Sequence, residues 1–232
     1  MTVPLTPPRL LGLLRRSLQT WLAHQPSFAT SPATAPLRRR LRQAEDPSPH
    51  QVPELIEALQ QDIVWLQVAF HEAGHAATTY ALTSEEDVWD LHLWFADDLE
   101  QDASGGAHAG RTYLVERYGW PATPADLRAK LATILAGTFF HPRLPGISFA
   151  GAEQGDELEA TVLAAHLGWT LEDASAYTRR VVDRQDLHEA VNALALEAFG
   201  NLLRGVHEVD ADTTACILGG HLTRPRVATE TP

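Results

Sequence analysis

Apolar residues between positions 53 and 82 recur at a spacing of three and four residues, which is the period of one face of an α-helix. The proline at position 53 suits the first turn of a helix, where its missing N–H is not needed. The pattern predicts one long amphipathic helix, or two helices in series, with an apolar face made of Leu55, Ile56, Leu59, Ile63, Leu66, Phe70, Ala73 and Ala77.

After residue 82 the period changes from helical to alternating, which indicates a β-strand. A polar connection that contains Gly105 and Gly106 then leads to residues 111–115, the expected partner strand. The fold class predicted from these elements is mainly α with a small antiparallel β-hairpin or sheet. In the first strand, Trp89, Leu91, Leu93 and Phe95 alternate with Val88, Asp90, His92 and Trp94.

The rest of the chain is predicted to be helical. Thr170, followed three residues later by Asp173, resembles a capping box, in which each side chain bonds the backbone of the other residue. Gly168 and Gly205 stand where helices are expected to end. A loop rich in glycine and proline is expected over 141–155, and helices over 124–137, 156–168, 170 onwards and 187–204.

The first 50 residues, called the head below, differ from the rest in charge. They carry seven arginines and two acidic residues, and residues 9–22 have the apolar spacing of a short helix. Pro26, Pro32 and Pro36 predict a linker over 26–36. We therefore expect a basic, proline-containing helix and linker over 1–50, and a separate folded domain over 51–232. The head is interpreted either as an arm that binds a membrane surface or partner or, the favoured alternative, as a docked helix with a solvated linker.

Composition narrows the class of protein further. The 232 residues carry a formal net charge of -12, and residues 51–232 alone carry -17, so this region repels nucleic acid. The single cysteine, Cys216, excludes an internal disulfide and a cysteine-based zinc site, and it is expected to pack in the interior. No apolar run approaches the roughly 20 residues of a transmembrane helix. A cytoplasmic location is expected, with peripheral contact at a membrane surface through the head as an alternative.

Residues 71–75 are His-Glu-Ala-Gly-His, an HExxH motif inside the predicted long helix. Residues four apart share a helix face, so the imidazoles of His71 and His75 are expected to bind one metal ion with bonds of roughly 2.0–2.1 Å. Glu72 lies beside that ion, and in this motif it is the general base that takes a proton from water. Zn²⁺ is the expected cofactor, because it lowers the pKa of bound water to about 7 and polarises the scissile carbonyl.

Two imidazoles leave a catalytic zinc ion without its usual third protein ligand. The metzincin pattern would place a glycine three residues and a histidine six residues after the second histidine of the motif, but the chain has Thr78 and Ala81 there. The third ligand is therefore expected elsewhere in the sequence, and a downstream carboxylate is favoured.

The segment 68–76, Val-Ala-Phe-His-Glu-Ala-Gly-His-Ala, resembles the zinc helix of the FtsH-type peptidases, the proteolytic domains of membrane-anchored, ATP-dependent proteases. The predicted strand pair, residues 135–137 and residues 151–161 are similar to that family's β-hairpin, Leu-Ala-Gly-Arg segment and Gly-Ala-x-Asn-Asp-Leu-x-x-Ala-Thr segment. The resemblance covers about residues 53–210, and it implies that residues 51–232 form a zinc metallopeptidase-like domain. It implies a zinc metalloendopeptidase that hydrolyses peptides or unfolded proteins, with Glu72 as the base and, as metal ligands, His71, His75 and Asp156.

The chain departs from that family in several ways. It has no Gly-x-x-x-x-Gly-Lys-Ser/Thr loop, so ATP-driven unfolding of substrates would need a separate ATPase or partner protein. His141 and Pro142 replace an acidic pair, and His141 is expected to be a loop histidine, with donation to the site or competition as a ligand as alternatives. An inserted glycine before Asp156 leaves Glu153 and Glu157 as alternative ligands. The alternative function is a zinc-binding module without proteolytic activity that serves interaction or regulation.

Overall fold

The fold is mainly α with a small antiparallel sheet, as the sequence predicted. The computed structural model describes residues 5–101, 107–117, 121, 123–147 and 154–225. The helices are α1 (Pro7–Ala23), α2 (Pro26–Thr30), α3 (Ala35–Gln43), α4 (Val52–Leu82), α5 (Pro124–Phe139), α6 (Gln154–His166), α7 (Leu171–Val182), α8 (Gln185–Leu202) and α9 (Ala211–Gly219), with a 3-10 turn over Pro32–Thr34. The strands are β1 (Val88–Gln101), β2 (Ala107–Glu116) and β3 (Glu208–Val209).

Helix α4 lies at the centre of the fold and is one continuous helix of 31 residues rather than two in series. In its first half the apolar face predicted from the sequence is buried, including Leu59, Ile63 and Leu66. From Ala69 to Ala81 nearly every side chain is buried, and α4 packs against α1, α5, α8 and the sheet. The HExxH motif therefore lies in the most enclosed part of the helix.

The sheet has the strand order β2-β1-β3, and both pairs are antiparallel. In the predicted hairpin, Leu93 pairs with Thr112 and Phe95 pairs with Gly110. Leu91, Leu93 and Phe95 are buried, so the alternating apolar face packs toward α4. Strand β3 was not predicted, because two residues are too few to show a period of two.

Residues 26–36 form helical turns instead of the predicted linker. Pro26, Pro32 and Pro36 each stand in the first turn of an element, namely α2, the 3-10 turn and α3. A proline is tolerated there because the first backbone N–H groups of a helix have no partner within it. The side chain of Phe28 is fully buried in this segment. The linker prediction was wrong because it treated these prolines as helix breakers, although they begin helices.

The head packs against α4 through aromatic rings and one ion pair. The ring centroid of Trp21 lies 5.0 Å from that of Phe28 and 6.1 Å from that of Phe70. Phe28 and Phe70 stack with their centroids 5.5 Å apart. Arg40 of α3 forms an ion pair with Asp62 of α4, whose side chain is fully buried. The head and α4 therefore share one hydrophobic core, as the docked interpretation expected for its helix, and Phe70 directly precedes the motif.

For the helices that follow α5, the predicted capping residues are confirmed. Thr170 and Asp173 form a capping box at the start of α7, with both reciprocal hydrogen bonds present. Gly168 and Gly205 follow α6 and α8 with φ angles of 68° and 74°. That left-handed conformation favours glycine, so these residues end the two helices as the sequence indicated.

Other predictions have mixed outcomes. Cys216 is exposed, so the prediction of interior packing was wrong; α9 packs through Thr214 and Leu218, and position 216 lies on a different side of the helix. Glu153, the glycines of the hairpin connection and residues 226–232 lie outside the described residues. Within the described ranges, no helix combines the length and the apolar character that a bilayer crossing requires.

Candidate metal centre

Three side chains predicted as metal ligands meet between α4 and α6. His71 and His75 lie one turn apart on α4, and the Nε2 atoms of their rings are 3.0 Å apart. Asp156, in the first turn of α6, brings its Oδ2 atom to 3.1 Å from His71 Nε2 and 3.3 Å from His75 Nε2. In the part of the chain that the structure describes, these three residues form the group whose donor atoms lie close enough to hold a metal ion.

The three donor atoms fit a tetrahedral zinc ion. Bonds of about 2.0–2.1 Å place the ligand atoms of a tetrahedral site about 3.3–3.4 Å apart, close to the three separations given above. Asp156 Oδ2 is buried and accepts no well-directed hydrogen bond from the described residues, although both imidazole nitrogens lie near it. A buried anionic oxygen needs a positive partner. A cation shared with the two imidazoles would satisfy that need.

The ring of His75 is fixed by a partner on its outer nitrogen. His75 Nδ1 lies 2.7 Å from the backbone oxygen of Thr133 in α5. A carbonyl oxygen only accepts hydrogen bonds, so Nδ1 carries the hydrogen. When the ring is neutral, it therefore presents the lone pair of Nε2 toward His71 and Asp156. A ligand histidine in a metal site is commonly oriented by a hydrogen bond of this kind.

The alternative ligands His141 and Glu157 lie outside the donor set. His141 Nε2 is 3.0 Å from His71 Nδ1, on the opposite side of the His71 ring from Asp156. Burial, together with the neighbouring His71 and His75, lowers the pKa of His141 to about 4, so this ring is neutral at pH 7. Glu157 follows Asp156 on α6, and its side chain is exposed. His141 is thus a loop residue, as expected, but one that contacts the site.

Glu72 is buried between α4 and β2, beside the donor set. Thr112 of β2 donates its hydroxyl hydrogen to Glu72 Oε2 at 2.8 Å, and the same Oγ1 lies 3.0 Å from the backbone oxygen of Glu72. At Gly110, a Cβ atom would lie 3.1 Å from Glu72 Cγ and 2.5 Å from Val68 Cγ1. The absence of a side chain at Gly110 lets β2 lie directly on α4. The strand therefore fixes one oxygen of the carboxylate.

Two glycines let α5 cross α4 at the imidazoles. A Cβ atom on Gly137 of α5 would lie 2.6 Å from both Cε1 and Nδ1 of His71, and 2.8 Å from Nε2 of His75. A Cβ atom on Gly74 of α4 would lie 2.8 Å from Cδ2 of Phe140. Carbon atoms do not approach other atoms this closely, so a larger residue at either position would displace a helix or a ring.

The charges around the histidines favour a cation. Burial disfavours the charged form of His75, but the contact with Asp156 and the charge of Glu72 outweigh burial and raise the pKa of His75 to about 9. Burial also opposes ionisation of Asp156, but its contacts with His71 and His75 outweigh burial and hold its pKa well below the usual range. The carboxylates of Glu72 and Asp156 therefore favour a positive charge at the histidines, which a proton or a metal ion can supply.

Thr112, Thr133 and Gly110 contribute to the site but were not singled out from the sequence. Thr133 contributes its backbone oxygen, so the type of its side chain carries no information about this role. Thr112 pairs with Leu93, whose side chain is fully buried. A polar residue paired with an inward-facing apolar residue would indicate a functional position. Recognising that pair requires the register of the hairpin, which the alternation of apolar and polar residues does not determine.

Comparisons with known proteins assign no family to this chain. A scan against protein-family models finds no match, and a search of the curated proteins finds none either. A function for the chain therefore rests on the geometry of this site and on the residues of its motif.

Proposed function

We propose that this chain is a zinc-dependent metallopeptidase that hydrolyses peptide bonds. His71, His75 and Asp156 hold the ion, and Glu72 acts as the general base. The observation that carries the proposal is the convergence of three donor atoms within 3.3 Å of one another beside a buried carboxylate on the same helix. Neither the ion nor the activity follows from the HExxH motif alone, because two histidines four residues apart also occur on helix surfaces.

The donor set supports zinc over other ions. Two imidazoles and one carboxylate are a common ligand set of catalytic zinc, and three protein ligands leave one coordination position open. Calcium and magnesium prefer oxygen ligands alone, so the two imidazole nitrogens disfavour both ions. A bound Zn²⁺ supplies Lewis acidity, which lowers the pKa of water to about 7 and polarises a peptide carbonyl.

The residues of the chain supply the proton transfer. Glu72 takes a proton from the attacking water as the water oxygen forms its bond to the peptide carbon. The same carboxylate then passes that proton to the leaving amine as the C–N bond breaks. Thr112 holds Glu72 Oε2 through its hydroxyl, so the carboxylate keeps a fixed orientation during the transfer. Thr133 holds His75 in the tautomer whose Nε2 faces the ion.

The substrates proposed are peptides and unfolded protein segments. The resemblance to the FtsH-type zinc helix supports a peptidase, and the chain has no nucleotide-binding loop of its own. Hydrolysis by this chain alone is therefore independent of ATP. Folded substrates would reach the site after a separate ATPase has unfolded them.

The test compares peptide hydrolysis by the wild-type chain and by the Glu72→Gln variant, both stripped of metal and reloaded with one equivalent of Zn²⁺. Unfolded casein is the substrate, and Glu189→Gln, an exposed glutamate on α8 in a second His-Glu pair, is the matched control. We expect Glu72→Gln to bind zinc and to lose at least about 100-fold in rate, the range of a general base. We also expect the metal-free wild type to be inactive and Glu189→Gln to be unchanged.

Two outcomes would contradict the proposal in different ways. Equal hydrolysis by the wild type and Glu72→Gln would show that Glu72 is not the base. Stoichiometric zinc binding without hydrolysis of casein or a peptide library would favour the non-proteolytic binding module instead.

A further inference from the structure

His141 contacts the candidate metal centre without facing the ion position. Its Nε2 atom lies 3.0 Å from His71 Nδ1, and the centroids of the two rings are 5.2 Å apart. The other nitrogen of His71, Nε2, faces Asp156. A neutral imidazole carries one hydrogen, so His71 offers a lone pair at Nε2 only when Nδ1 holds that hydrogen. An acceptor at Nδ1 therefore decides whether His71 is ready to bind a metal ion.

We propose that His141 is a positioning residue that accepts the hydrogen bond of His71 Nδ1–H and so fixes the tautomer and ring orientation of His71. This inference rests on the proposed function only in assigning a metal ion to the Nε2 side of His71. The acceptor is a neutral imidazole instead of the carboxylate or backbone oxygen that usually serves such a ligand.

The loop that carries His141 is held by the head. Leu144 of this loop is buried in the main core. Ser17 of α1 donates its hydroxyl hydrogen to the backbone oxygen of Pro145. Gly146 has a φ angle of 75°, and a Cβ atom there would lie 3.1 Å from Leu13 Cδ1 of α1. Helix α1 therefore contacts Pro145 and Gly146, which lie four and five residues after His141 in the same loop.

The outer ring nitrogens of the two proposed ligand histidines have different kinds of partner. The outer nitrogen of His75 bonds a backbone oxygen, which side-chain substitution leaves in place. The outer nitrogen of His71 faces a side chain, which substitution can remove. The role of His141 is therefore open to a direct test by mutation, and the effect is expected on metal affinity before any substrate is added.

The test measures the Zn²⁺ dissociation constant of the full chain by competition with a chromophoric chelator, without substrate. His141→Ala removes the acceptor, and we expect the dissociation constant to rise by about 10- to 100-fold. His141→Gln places an amide oxygen near the position of Nε2, and we expect it to retain most of the affinity. His166→Ala is the matched control, because His166 is an exposed histidine that bonds a backbone oxygen within α6, and we expect no change.

A second measurement needs no variant and covers the case in which His141→Ala fails to fold. In wild-type chain labelled with ¹⁵N-histidine and loaded with Zn²⁺, long-range ¹H–¹⁵N spectra report which nitrogen of each ring carries hydrogen. We expect His71 to carry hydrogen on Nδ1, with a scalar coupling across the hydrogen bond to His141 Nε2. Hydrogen on Nε2 of His71, or no coupling to His141, would overturn the proposal.

The Zn²⁺ affinities of the wild type and the His141 variants distinguish a failure of this proposal from a failure of the proposed function. Wild-type affinity in His141→Ala, or equal losses in His141→Ala and His141→Gln, would overturn the acceptor role while leaving a zinc peptidase intact. Zinc binding with the expected His141 effects but without peptide hydrolysis would contradict the proposed function and support the acceptor role. No zinc binding by the wild type would contradict both.

Discussion

The substitution Gly137→Ala tests the crossing of α4 and α5 most directly, because two physical effects predict opposite signs. Alanine favours an α-helix over glycine by about 1 kcal/mol, so helix propensity alone would stabilise the protein. The added methyl, however, would lie 2.6 Å from two atoms of the His71 ring and 2.8 Å from His75 Nε2. We expect the steric effect to dominate, and to weaken Zn²⁺ binding if His71, His75 and Asp156 hold zinc as proposed.

The magnitude follows from the distances. To reach an ordinary contact of 3.4 Å, the imidazoles or the helix must move by about 0.8 Å, whereas metal–ligand bonds tolerate about 0.2 Å. Overpacking of this kind costs about 1–3 kcal/mol, which corresponds to about a 5- to 150-fold increase in the Zn²⁺ dissociation constant. The stability of the metal-free protein should fall by less than the free energy of Zn²⁺ binding does, because its imidazole rings can move without breaking metal bonds.

The assay is chelator competition for Zn²⁺ affinity, with thermal unfolding of the metal-free protein measured in parallel. Gly155→Ala is the matched control: it is also a glycine in a helix and adjoins Asp156, but its Cβ would have no atom within 4 Å. We expect Gly155→Ala to bind zinc like the wild type. Wild-type affinity in Gly137→Ala, or equal losses in the two variants, would refute the argument that glycine is needed for the helix crossing at the imidazoles.

Two further predictions concern Asp62, which pairs with Arg40 of the head, and Thr112, which bonds Glu72. Burial raises the pKa of Asp62 to about 7 against the attraction of Arg40, while the pKa in the unfolded chain is near 3.8. Between about pH 4 and 7 the folded chain therefore binds more protons at Asp62 than the unfolded chain does. The free energy of unfolding consequently falls as the pH rises through this range, by up to about 1.4 kcal/mol per pH unit. Urea unfolding at pH 5 and 7 should show this slope in the wild type and a smaller one in Asp62→Asn; equal slopes would contradict the assignment. Thr112→Val removes the hydroxyl that bonds Glu72 at 2.8 Å, and if the chain is a zinc peptidase we expect kcat/KM to fall by about 10- to 100-fold, the value of a hydrogen bond to a charged group. Zinc affinity should stay at the wild-type level in Thr112→Val, and a parallel loss of affinity would show that the threonine acts on the metal instead of the base.

The parts of the structure that follow from local pattern were predictable. The period of three and four residues located α4, and with it the shared face of His71 and His75. Alternation located the hairpin, and capping residues located the start of α7. Asp156 was different, since no local pattern links a carboxylate to a motif so far away in the chain. A resemblance in sequence supplied that residue, and the geometry of α6 brings it to the histidines.

The features that escaped prediction depend on tertiary contacts. Pro26, Pro32 and Pro36 stand in the first turns of short helical elements in a head that is packed against α4. In an exposed segment the same residues are typical of a linker. His141 contacts His71 from a loop in which Pro145 and Gly146 lie against α1. Neither arrangement has a sequence period of its own.

The aromatic contact between the head and α4 determines which fragments of this chain can stand alone. A polypeptide that began at residue 51 would leave Phe70 without Trp21 and Phe28, and it would leave the Asp62 carboxylate buried or hydrated without its guanidinium. Water-exposed aromatic surface of this kind promotes aggregation. We therefore expect a stable fragment of this protein to include the head, because loss of the head would remove the aromatic packing on Phe70, the residue before the first motif histidine.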